Sequence, residues 1–278
     1  MSDHIKDKVI VVTGAARGFG RLICEKASAL GAKIVAGDID DAALEDTTAA
    51  VRANGGRILA KRTDVTNLDE MKALTAAAQS EYGALDVMIN NAGIMPLAFF
   101  SDHAAADKAW HRCIDVNFKG VLNGIIAAHD IMMAQGRGHV VNLSSIYGNF
   151  PVAGAAVYGA TKAAVNFLSH ALRVESQGAI KVTTIRPTGV PGTNLASGVV
   201  NPAAAVGILG QNMPAYAQVY QALAAGTMDP AKLDAGSIEY AVLDPVFIAD
   251  AVIAAIDQPW GVSLSDITVR ASGDQYIL

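Results

Sequence analysis

The stretch that decides the fold is KVIVVTGAARGFG, residues 8–20. Five of its first six residues are β-branched, which predicts a buried strand. The TGAARGFG that follows has glycines at positions 14, 18 and 20, which allow a tight turn and let backbone N–H groups approach a negative charge. A helix predicted over residues 19–30 would direct the positive end of its dipole at that charge. A strand, a glycine-rich turn and a helix in this order favour a site for the pyrophosphate of a dinucleotide.

The same alternation of β-branched runs and helical patterns continues along the chain. Strands are predicted over residues 8–13, 33–37, 57–61, 87–90, 139–144, 181–186 and 267–270, and helices over 19–30, 40–54, 67–82, within 104–135, and over 158–177 and 245–257. Such βαβ units have right-handed crossovers and build a parallel sheet with helices on both faces. We therefore predict one α/β domain over residues 1–278, with a doubly wound, Rossmann-type sheet of about seven strands.

One stretch, residues 187–228, breaks this alternation. It contains no charged residue and is interrupted by Pro191, Pro202 and Pro214. A loop of this length is uncommon in a compact domain unless it closes over a ligand. We predict a substrate lid at about residues 190–240, with an oligomer interface or an ordinary buried helical insert as the alternatives.

Composition and charge exclude several classes of protein. Hydrophobic residues make up 52% and charged residues 17% of the chain, which rules out a disordered chain and a heptad coiled coil. A net charge of -5 without a basic run provides no surface for nucleic acid or an anionic membrane. Residues 1–8 lack the apolar run of a signal peptide, and no stretch of about twenty residues is apolar enough to span a bilayer. We expect a cytoplasmic protein that binds neither nucleic acid nor membrane.

The cysteine and histidine pattern predicts no metal site. Cys24 and Cys113 lie far apart, and the six histidines show no paired ligand spacing. Reduced thiols in a cytosolic protein are the simplest interpretation.

An acidic residue follows the second predicted strand. Asp38 lies about 20 residues beyond the glycine-rich turn. A carboxylate at this distance accepts hydrogen bonds from a ribose 2′-OH and repels a 2′-phosphate, which favours NAD over NADP.

Tyr158 and Lys162 are four residues apart in a predicted helix and therefore share one face. An ammonium group beside a phenol stabilises the phenolate and lowers a pKa that is ordinarily about 10, as an acid/base near neutral pH requires. The pair alone is also typical of an ordinary surface helix. Here a strand ending in Ser144 and Ser145 precedes it, and open α/β sheets bind ligands at the carboxyl ends of their strands.

Together these motifs resemble the short-chain dehydrogenase/reductase family. The resemblance covers about residues 8–190. It rests on TGAARGFG, Asp38, Asp64-Val65, the NNAG of residues 90–93, Asn117 in VNFKG, Ser145 thirteen residues before Tyr158, and YGATK. It implies a nicotinamide oxidoreductase, in which the cofactor carries the hydride and the protein controls one proton.

The resemblance implies four catalytic residues. Tyr158 would take the proton from an alcohol or return it to a carbonyl, and Lys162 would lower the pKa of Tyr158 and hold the nicotinamide ribose. Ser145 would form a hydrogen bond with the substrate oxygen. Asn117 would hold a water that extends the proton path to solvent. The implied substrate-binding residues are Met95, Ser145, Tyr147, Phe150, Val152 and Tyr158.

The resemblance also implies the cofactor contacts. Asp64 and Val65 correspond to residues that contact the adenine, and Val190 to the residue that anchors the carboxamide. The full set of cofactor-binding residues is Gly14, Arg17, Gly18, Phe19, Gly20, Asp38, Ile39, Asp64, Val65, Asn91, Ala92, Gly93, Tyr158, Lys162, Pro187 and Val190.

Two places depart from the family pattern. Arg17 stands where NADP-preferring members often carry a basic residue. Asp38 would lie against the 2′ position itself, whereas Arg17 can extend to solvent or to the pyrophosphate, so we predict NAD. In RPTGVPGT, residues 186–193, Thr188 replaces a glycine and Thr193 stands one residue late. Which hydroxyl contacts the cofactor is therefore left open.

These observations predict an NAD-dependent short-chain alcohol dehydrogenase or carbonyl reductase, which interconverts an apolar secondary alcohol and its ketone. A dihydrodiol or other catabolic diol dehydrogenase would use the same four residues and is the alternative. A non-catalytic nucleotide-sensing protein is a third hypothesis, and the acid/base set argues against it. The resemblance also implies a homo-oligomer, a dimer or tetramer, formed through long helices.

Overall fold

A parallel sheet of seven strands forms the centre of the computed structural model, which describes residues 3–277. The strands are β1 Val9–Thr13, β2 Lys33–Asp38, β3 Arg57–Arg62, β4 Val87–Asn90, β5 Gly138–Leu143, β6 Ile180–Pro187 and β7 Asp266–Val269. Their order is β3-β2-β1-β4-β5-β6-β7, and every neighbouring pair is parallel. The strand order reverses between β1 and β4, which opens a crevice at the carboxyl ends of these strands. The predicted doubly wound sheet is confirmed.

Helices cover both faces of this sheet. The helices are α1 Gly18–Ala29, α2 Asp41–Ala53, α3 Leu68–Tyr82, α4 His103–Cys113, α5 Gly120–Gln135, α6 Ala156–Glu175, α7 Val206–Leu209, α8 Met213–Ala225 and α9 Pro245–Ile256. One apolar cluster joins α1, α2 and α9 to the sheet, and a second joins α3, α5 and α6. Ile10 and Val12 face the first cluster, whereas Val9 and Val11 face the second. Both faces of β1 are therefore buried, as the unbroken β-branched run predicts.

The helix predicted within residues 104–135 is interrupted, and on this point the prediction of one long helix is wrong. α4 ends at Cys113, Ile114–Lys119 form a π-helical segment, and α5 begins at Gly120. A π-helical turn inserts an extra residue into the hydrogen-bond ladder and is frequent at functional sites. Asn117 lies buried within this segment.

The stretch over residues 187–228 is more regular than its sequence suggests. It contains 3₁₀ turns at Asn194–Gly198 and Pro202–Ala205, followed by α7 and α8. Pro214 stands in the first turn of α8, where the missing N–H has no helical partner to lose. The proline therefore starts a helix instead of breaking one. That residues 190–240 act as a lid stays a prediction.

No helix within residues 3–277 combines the length and apolar composition needed to cross a membrane. In the same range, no three His, Cys, Asp or Glu side chains are grouped as they would be around a metal ion.

Candidate active site

The glycine-rich loop follows β1 at the carboxyl edge of the sheet. Gly14 and Gly18 have φ angles of 65° and 52°, in the left-handed region that glycine adopts without steric cost. At Gly20, a Cβ atom would overlap the carbonyl oxygen of Gly14, so α1 packs on the loop only because this residue is glycine. Arg17, the N-cap residue of α1, makes no side-chain cap hydrogen bond. The N–H groups of the first turn can therefore bind an anion.

The NNAG turn after β4 forms the opposite wall of the crevice. Asn91 Nδ2 donates to the carbonyl oxygens of Thr13 and Gly14, at 2.9 and 3.0 Å. The Asn91 backbone N–H donates to Thr13 Oγ1 at 3.1 Å. A Cβ atom on Gly14 would lie 2.8 Å from Ala92 Cα. The two turns are therefore fixed in contact, and the predicted cofactor residues Gly14, Asn91 and Ala92 lie together.

Asp38 ends β2 beside the loop, and two backbone N–H groups orient its carboxylate. Its Oδ2 accepts from Ala16 at 2.9 Å and its Oδ1 accepts from Asp40 at 3.0 Å. Arg17 pairs with Asp40 at 2.6 Å. The hydrogen bond from Arg17 holds the pKa of the Asp40 carboxyl below its usual value. The charge of Arg17 is thus matched by Asp40, not by Asp38.

The other residues predicted to face the adenosine lie at the ends of β2 and β3. Ile39 is exposed, whereas Val65 is buried. The Val65 carbonyl accepts a hydrogen bond from Asn123 Nδ2 at 2.9 Å. Asp64 Oδ1 accepts from the backbone N–H and the hydroxyl of Thr66. Asp64 therefore already has a structural role in its turn.

The four predicted catalytic side chains meet near the ends of β4 and β5. Tyr158 is buried on α6, and Ser145 is a polar neighbour that acts to lower its pKa. Lys162 Nζ lies 5.8 Å from the centroid of the Tyr158 ring. A Cβ atom on Gly93 would lie 3.3 Å from Asn117 Oδ1 and 3.6 Å from Lys162 Nζ. The structure thus brings Asn117, Ser145, Tyr158 and Lys162 together beside the NNAG turn.

Burial governs the titration of this cluster. It raises the pKa of Tyr158 above its usual value, and the hydrogen bond from Ser145 opposes that rise. It lowers the pKa of Lys162 to about 8. Lys162 Nζ donates to the carbonyl oxygen of Leu143 at 2.8 Å, which places one of its three N–H donors. That Lys162 lowers the pKa of Tyr158 stays a prediction.

Asn117 is held by polar contacts on several sides. Its side-chain amide accepts from the N–H of Ile94 and donates to the carbonyl of Ile94, both at 2.9 Å. Its Nδ2 also lies 3.3 Å from Cys113 Sγ and from Thr161 Oγ1. Burial raises the pKa of Cys113 to about 11, so this thiol is not a reactive thiolate at neutral pH. Sequence analysis gave neither Cys113 nor Thr161 a role in the site, although Thr161 lies within YGATK.

Three of the four apolar or aromatic residues predicted to line the substrate pocket lie around Tyr158. Met95, Tyr147 and Val152 pack on the apolar cluster that contains it. The Tyr147 and Tyr158 rings meet edge to face with centroids 5.4 Å apart. Phe150 is instead 62% exposed, and its contact with substrate stays a prediction.

Two threonines, Thr188 and Thr193, lie in the segment that follows β6. Pro187, the last residue of β6, is buried, and Val190 packs against the first apolar cluster. The Thr188 hydroxyl is buried and has no hydrogen-bond partner within the described residues. Thr193 Cγ2 would lie 3.9 Å from a Cβ atom on Gly18. Thr193 is therefore the threonine beside the glycine-rich loop.

Three further tyrosines, in or beside the stretch predicted as a lid, were not assigned to the site from the sequence. Tyr216 and Tyr220 lie one turn apart on α8, and Tyr276 lies in the C-terminal tail. The spacing of the first pair was visible in the sequence. No local pattern connects either of them to Tyr276.

Comparison with known proteins relates this chain to a known family. The family described as short chain dehydrogenase matches residues 8–203. An uncharacterized oxidoreductase of Staphylococcus saprophyticus is 40% identical over 195 residues, which cover 69% of this chain and 78% of that protein. The 2,5-dichloro-2,5-cyclohexadiene-1,4-diol dehydrogenase LinX of Sphingobium indicum is 35% identical over 191 residues, 68% of this chain and 76% of its own.

Solved structures agree over nearly the whole length. A short chain dehydrogenase/reductase from Burkholderia phymatum in complex with NAD is 29% identical, with a TM-score of 0.74 over 95% of this chain and 89% of that chain. A metagenomic short-chain oxidoreductase in complex with NADP is 26% identical, with a TM-score of 0.72 over 96% and 98%. The matched sequence, the sheet order and the shared fold show that this chain belongs to the short-chain dehydrogenase/reductase family.

Proposed function

We propose that the protein is an NAD-dependent oxidoreductase that interconverts an apolar secondary alcohol and its ketone. The observation that carries the proposal is the buried cluster of Asn117, Ser145, Tyr158 and Lys162 beside the NNAG turn. A protein that only senses a nucleotide has no use for an acid/base group in this position.

The residues of the crevice fit a nicotinamide dinucleotide. Gly14 and Gly20 leave no room for a Cβ atom, and the first turn of α1 lacks a side-chain cap. These groups would hold the pyrophosphate, Asp38 would bind the adenosine ribose, and Thr188 or Thr193 would bind the carboxamide or a phosphate. When bound, the dinucleotide supplies the hydride acceptor or donor.

The protein's own residues control one proton. Ser145 would donate a hydrogen bond to the substrate oxygen and fix it next to the hydroxyl of Tyr158. Tyr158 Oη would then accept the proton of an alcohol, or donate a proton to a ketone oxygen in the reverse direction. Lys162 would stabilise the phenolate through its charge. Asn117 would hold a water that extends the proton path to solvent.

The surroundings of Tyr158 support a largely apolar substrate. Met95 and Val152 offer only carbon and sulfur atoms, and the stretch from residue 187 to 228 carries no charge. Apolar surface buried against such walls contributes about 25 cal/mol per Å².

A cyclic diol is the second candidate substrate. One specific observation favours it, namely the 35% identity with LinX, which is described as a cyclohexadiene-1,4-diol dehydrogenase. The same catalytic residues would serve both substrates.

A second copy of the chain is the partner we propose for the outer face of α6. Phe167 and Val174 are each 76% exposed there, and with Ala171 they line a shallow apolar depression. Large exposed apolar side chains grouped on one helix are typical of an interface. We propose a cytoplasmic dimer or tetramer assembled through this face.

The test of the proposed activity is the formation of NADH, followed by its absorbance, with a panel of secondary alcohols that includes linear, cyclic and diol members. Each alcohol is assayed with NAD and with NADP. We expect turnover with NAD for at least one apolar secondary alcohol. The absence of turnover across the panel with both cofactors would contradict the proposal.

A further inference from the structure

A buried hydroxyl on α6 connects two parts of the catalytic cluster. Thr161 lies directly before Lys162 in the chain, and its side chain is buried. Its Oγ1 donates a hydrogen bond to the backbone carbonyl of Tyr158 at 2.7 Å. Asn117 Nδ2 donates to the same Oγ1 at 3.3 Å. One hydroxyl therefore links the Asn117 side chain to the helical turn that carries the proposed acid/base.

The direction of these hydrogen bonds determines how the Asn117 amide is oriented. A threonine hydroxyl has one O–H donor and two acceptor lone pairs. Because the donor is used on the carbonyl of Tyr158, the Thr161 oxygen can only accept from Asn117. The NH2 end of the Asn117 amide must therefore face Thr161. Its other end, Oδ1, accepts from the backbone N–H of Ile94 at 2.9 Å.

Asn117 is held from two different elements. Ile94, which follows the NNAG turn, pairs with both ends of the amide. Thr161 attaches the amide to α6, and within the described part of the chain this is the only hydrogen bond between Asn117 and that helix. Asn117 itself lies in the π-helical segment Ile114–Lys119, where an inserted residue interrupts the regular helical ladder. The Thr161 hydroxyl therefore ties this irregular segment to the helix of Tyr158.

Cys113 is a second neighbour of the Asn117 amide, and its contact has a different consequence. Its Sγ lies 3.3 Å from Asn117 Nδ2 and 3.9 Å from Thr161 Oγ1. A thiol sulfur is a weak acceptor. Cys113 is also the last residue of α4, directly before the π-helical segment, so its contact with Asn117 does not join that segment to α6.

We propose that Thr161 is a positioning residue, whose hydroxyl keeps Asn117 in register with Tyr158. In alcohol oxidation, the proton that Tyr158 Oη accepts from the substrate then passes to the water that Asn117 holds. Thr161 does not touch the reacting atoms and acts through Asn117. The proposal rests on the proposed function and adds one residue to those on which its proton path depends.

The test compares Thr161→Val, which removes the hydroxyl and keeps the shape, with Thr161→Ser, which keeps the hydroxyl. Turnover is measured with NAD and the secondary alcohol that the wild type oxidises fastest. Thr161→Val should lower kcat about tenfold, the effect of one hydrogen bond, and should leave the dissociation constant of NADH within about twofold. Thr161→Ser should restore most of the lost kcat. The solvent deuterium isotope effect on kcat should rise in Thr161→Val, because proton transfer becomes the slow step.

Three further variants serve as controls. Thr48→Val is the matched one, because Thr48 is buried on α2 and its hydroxyl donates to the carbonyl of Leu44. It should leave kcat and the isotope effect unchanged. Cys113→Ala should lower kcat by less than about threefold. Thr161→Ala removes the hydroxyl in a second way and should reproduce the effects of Thr161→Val, so it decides the test if Thr161→Val does not fold.

Wild-type kcat in a folded variant without the Thr161 hydroxyl would overturn the inference, as would a Thr161→Ser variant as slow as Thr161→Val. A lower kcat with an unchanged isotope effect would also overturn it, because Thr161 would then contribute to stability alone.

Hydrogen exchange tests the same link without turnover. Because the segment loses its hydrogen bond to α6, backbone amides of residues 113–120 should exchange at least about threefold faster in Thr161→Val than in the wild type. Thr161→Ser should restore their protection. If the wild type forms no NADH from any alcohol, the proposed activity fails. Faster exchange in Thr161→Val would then still support the link between Asn117 and α6, and unchanged exchange would overturn it.

Discussion

Asp38 and Arg17 carry opposite charges at the turn that would receive the adenosine ribose. The Asp38 carboxylate is held by two backbone N–H groups, whereas Arg17 is mostly exposed and pairs with Asp40. A charge-assisted bond from a ribose hydroxyl to Asp38 is worth about 1.5–3 kcal/mol, and NADP would replace it with repulsion. We therefore expect kcat/KM to favour NAD by about a hundredfold.

Asp38→Ser should shrink this preference, because it removes both the ribose bonds and the repulsion. Arg17→Ala is the matched control, and in the wild-type background it should leave the preference for NAD in place. The measurement is the ratio of kcat/KM for NAD to kcat/KM for NADP, determined with one alcohol in the wild type and in both variants. Equal values in the unmodified protein would show that Asp38 does not select the cofactor.

The burial of the charged Lys162 side chain destabilises the folded protein. Burial lowers its pKa from 10.5 to about 8, a difference that corresponds to roughly 3 kcal/mol. Lys162→Met removes the buried charge but leaves the Leu143 carbonyl without its donor. We expect the free energy of unfolding at pH 7 to rise by about 1–2 kcal/mol, while turnover and affinity for NADH fall.

The pH dependence has a definite sign. Below pH 8, Lys162 is protonated in both the folded and the unfolded chain, so burial destabilises the fold in full. Between about pH 8 and 10.5 the folded protein releases the proton first, and the destabilisation fades. The advantage of Lys162→Met in urea unfolding should therefore disappear above about pH 10.5. Lys61→Met, at an exposed position on β3, should show no such gain. If Lys162→Met raised the free energy of unfolding equally at all pH values, burial of the Lys162 charge would not be the cause.

The elements that sequence periodicity could predict are those whose burial is regular. β1 is buried along its whole length, so its β-branched run alone defines it. The π-helical segment around Asn117 could not be recognised from the sequence. One inserted residue shifts the apolar positions along the helix, but the spacing on either side of it still reads as helical. The sequence did not predict α8 because of Pro214. A proline breaks a helix when it lies in the interior but is favoured in the first turn, and the sequence alone does not distinguish the two positions.

The predicted lid over residues 190–240 has a testable consequence for the size of the substrate. If α8 and the uncharged stretch before it close over an apolar pocket, each added methylene of a 2-alkanol should be buried. The gain is up to about 0.8 kcal/mol per methylene, or nearly fourfold in kcat/KM. A series from 2-propanol to 2-octanol measures the slope. A flat or falling trend from the smallest members would reject the apolar pocket.

Across the whole molecule, the site is assembled from segments that only the sheet order brings together. β1, β4 and β5 are neighbours in the sheet, and this places the glycine-rich loop, the NNAG turn and Ser145 along one edge. The parallel alternation predicts such an edge, so these motifs could be placed from the sequence. Tyr276 could not, because its position depends on long-range contacts of the C-terminal tail with α7 and α8.

The exposed apolar face of α6 predicts self-association. Phe167→Glu would bury a charge in the proposed interface and should dissociate the oligomer, since an unpaired buried charge is costly. Ile238→Glu is the matched control, because Ile238 is 82% exposed outside this face. Sedimentation velocity should show a dimer or tetramer for the wild type and the control, and a monomer for Phe167→Glu. A wild-type monomer at micromolar concentration would contradict the proposal.

The central claim is that Tyr158 transfers the proton during alcohol oxidation. The most direct test is the turnover of Tyr158→Phe with NAD and the secondary alcohol that the wild type oxidises fastest. The dissociation constant of NADH from the same variant is measured alongside. Loss of one hydroxyl should lower kcat by at least about a hundredfold, the usual contribution of general acid/base catalysis. The affinity for NADH should be retained. Near-normal turnover of Tyr158→Phe would contradict the account.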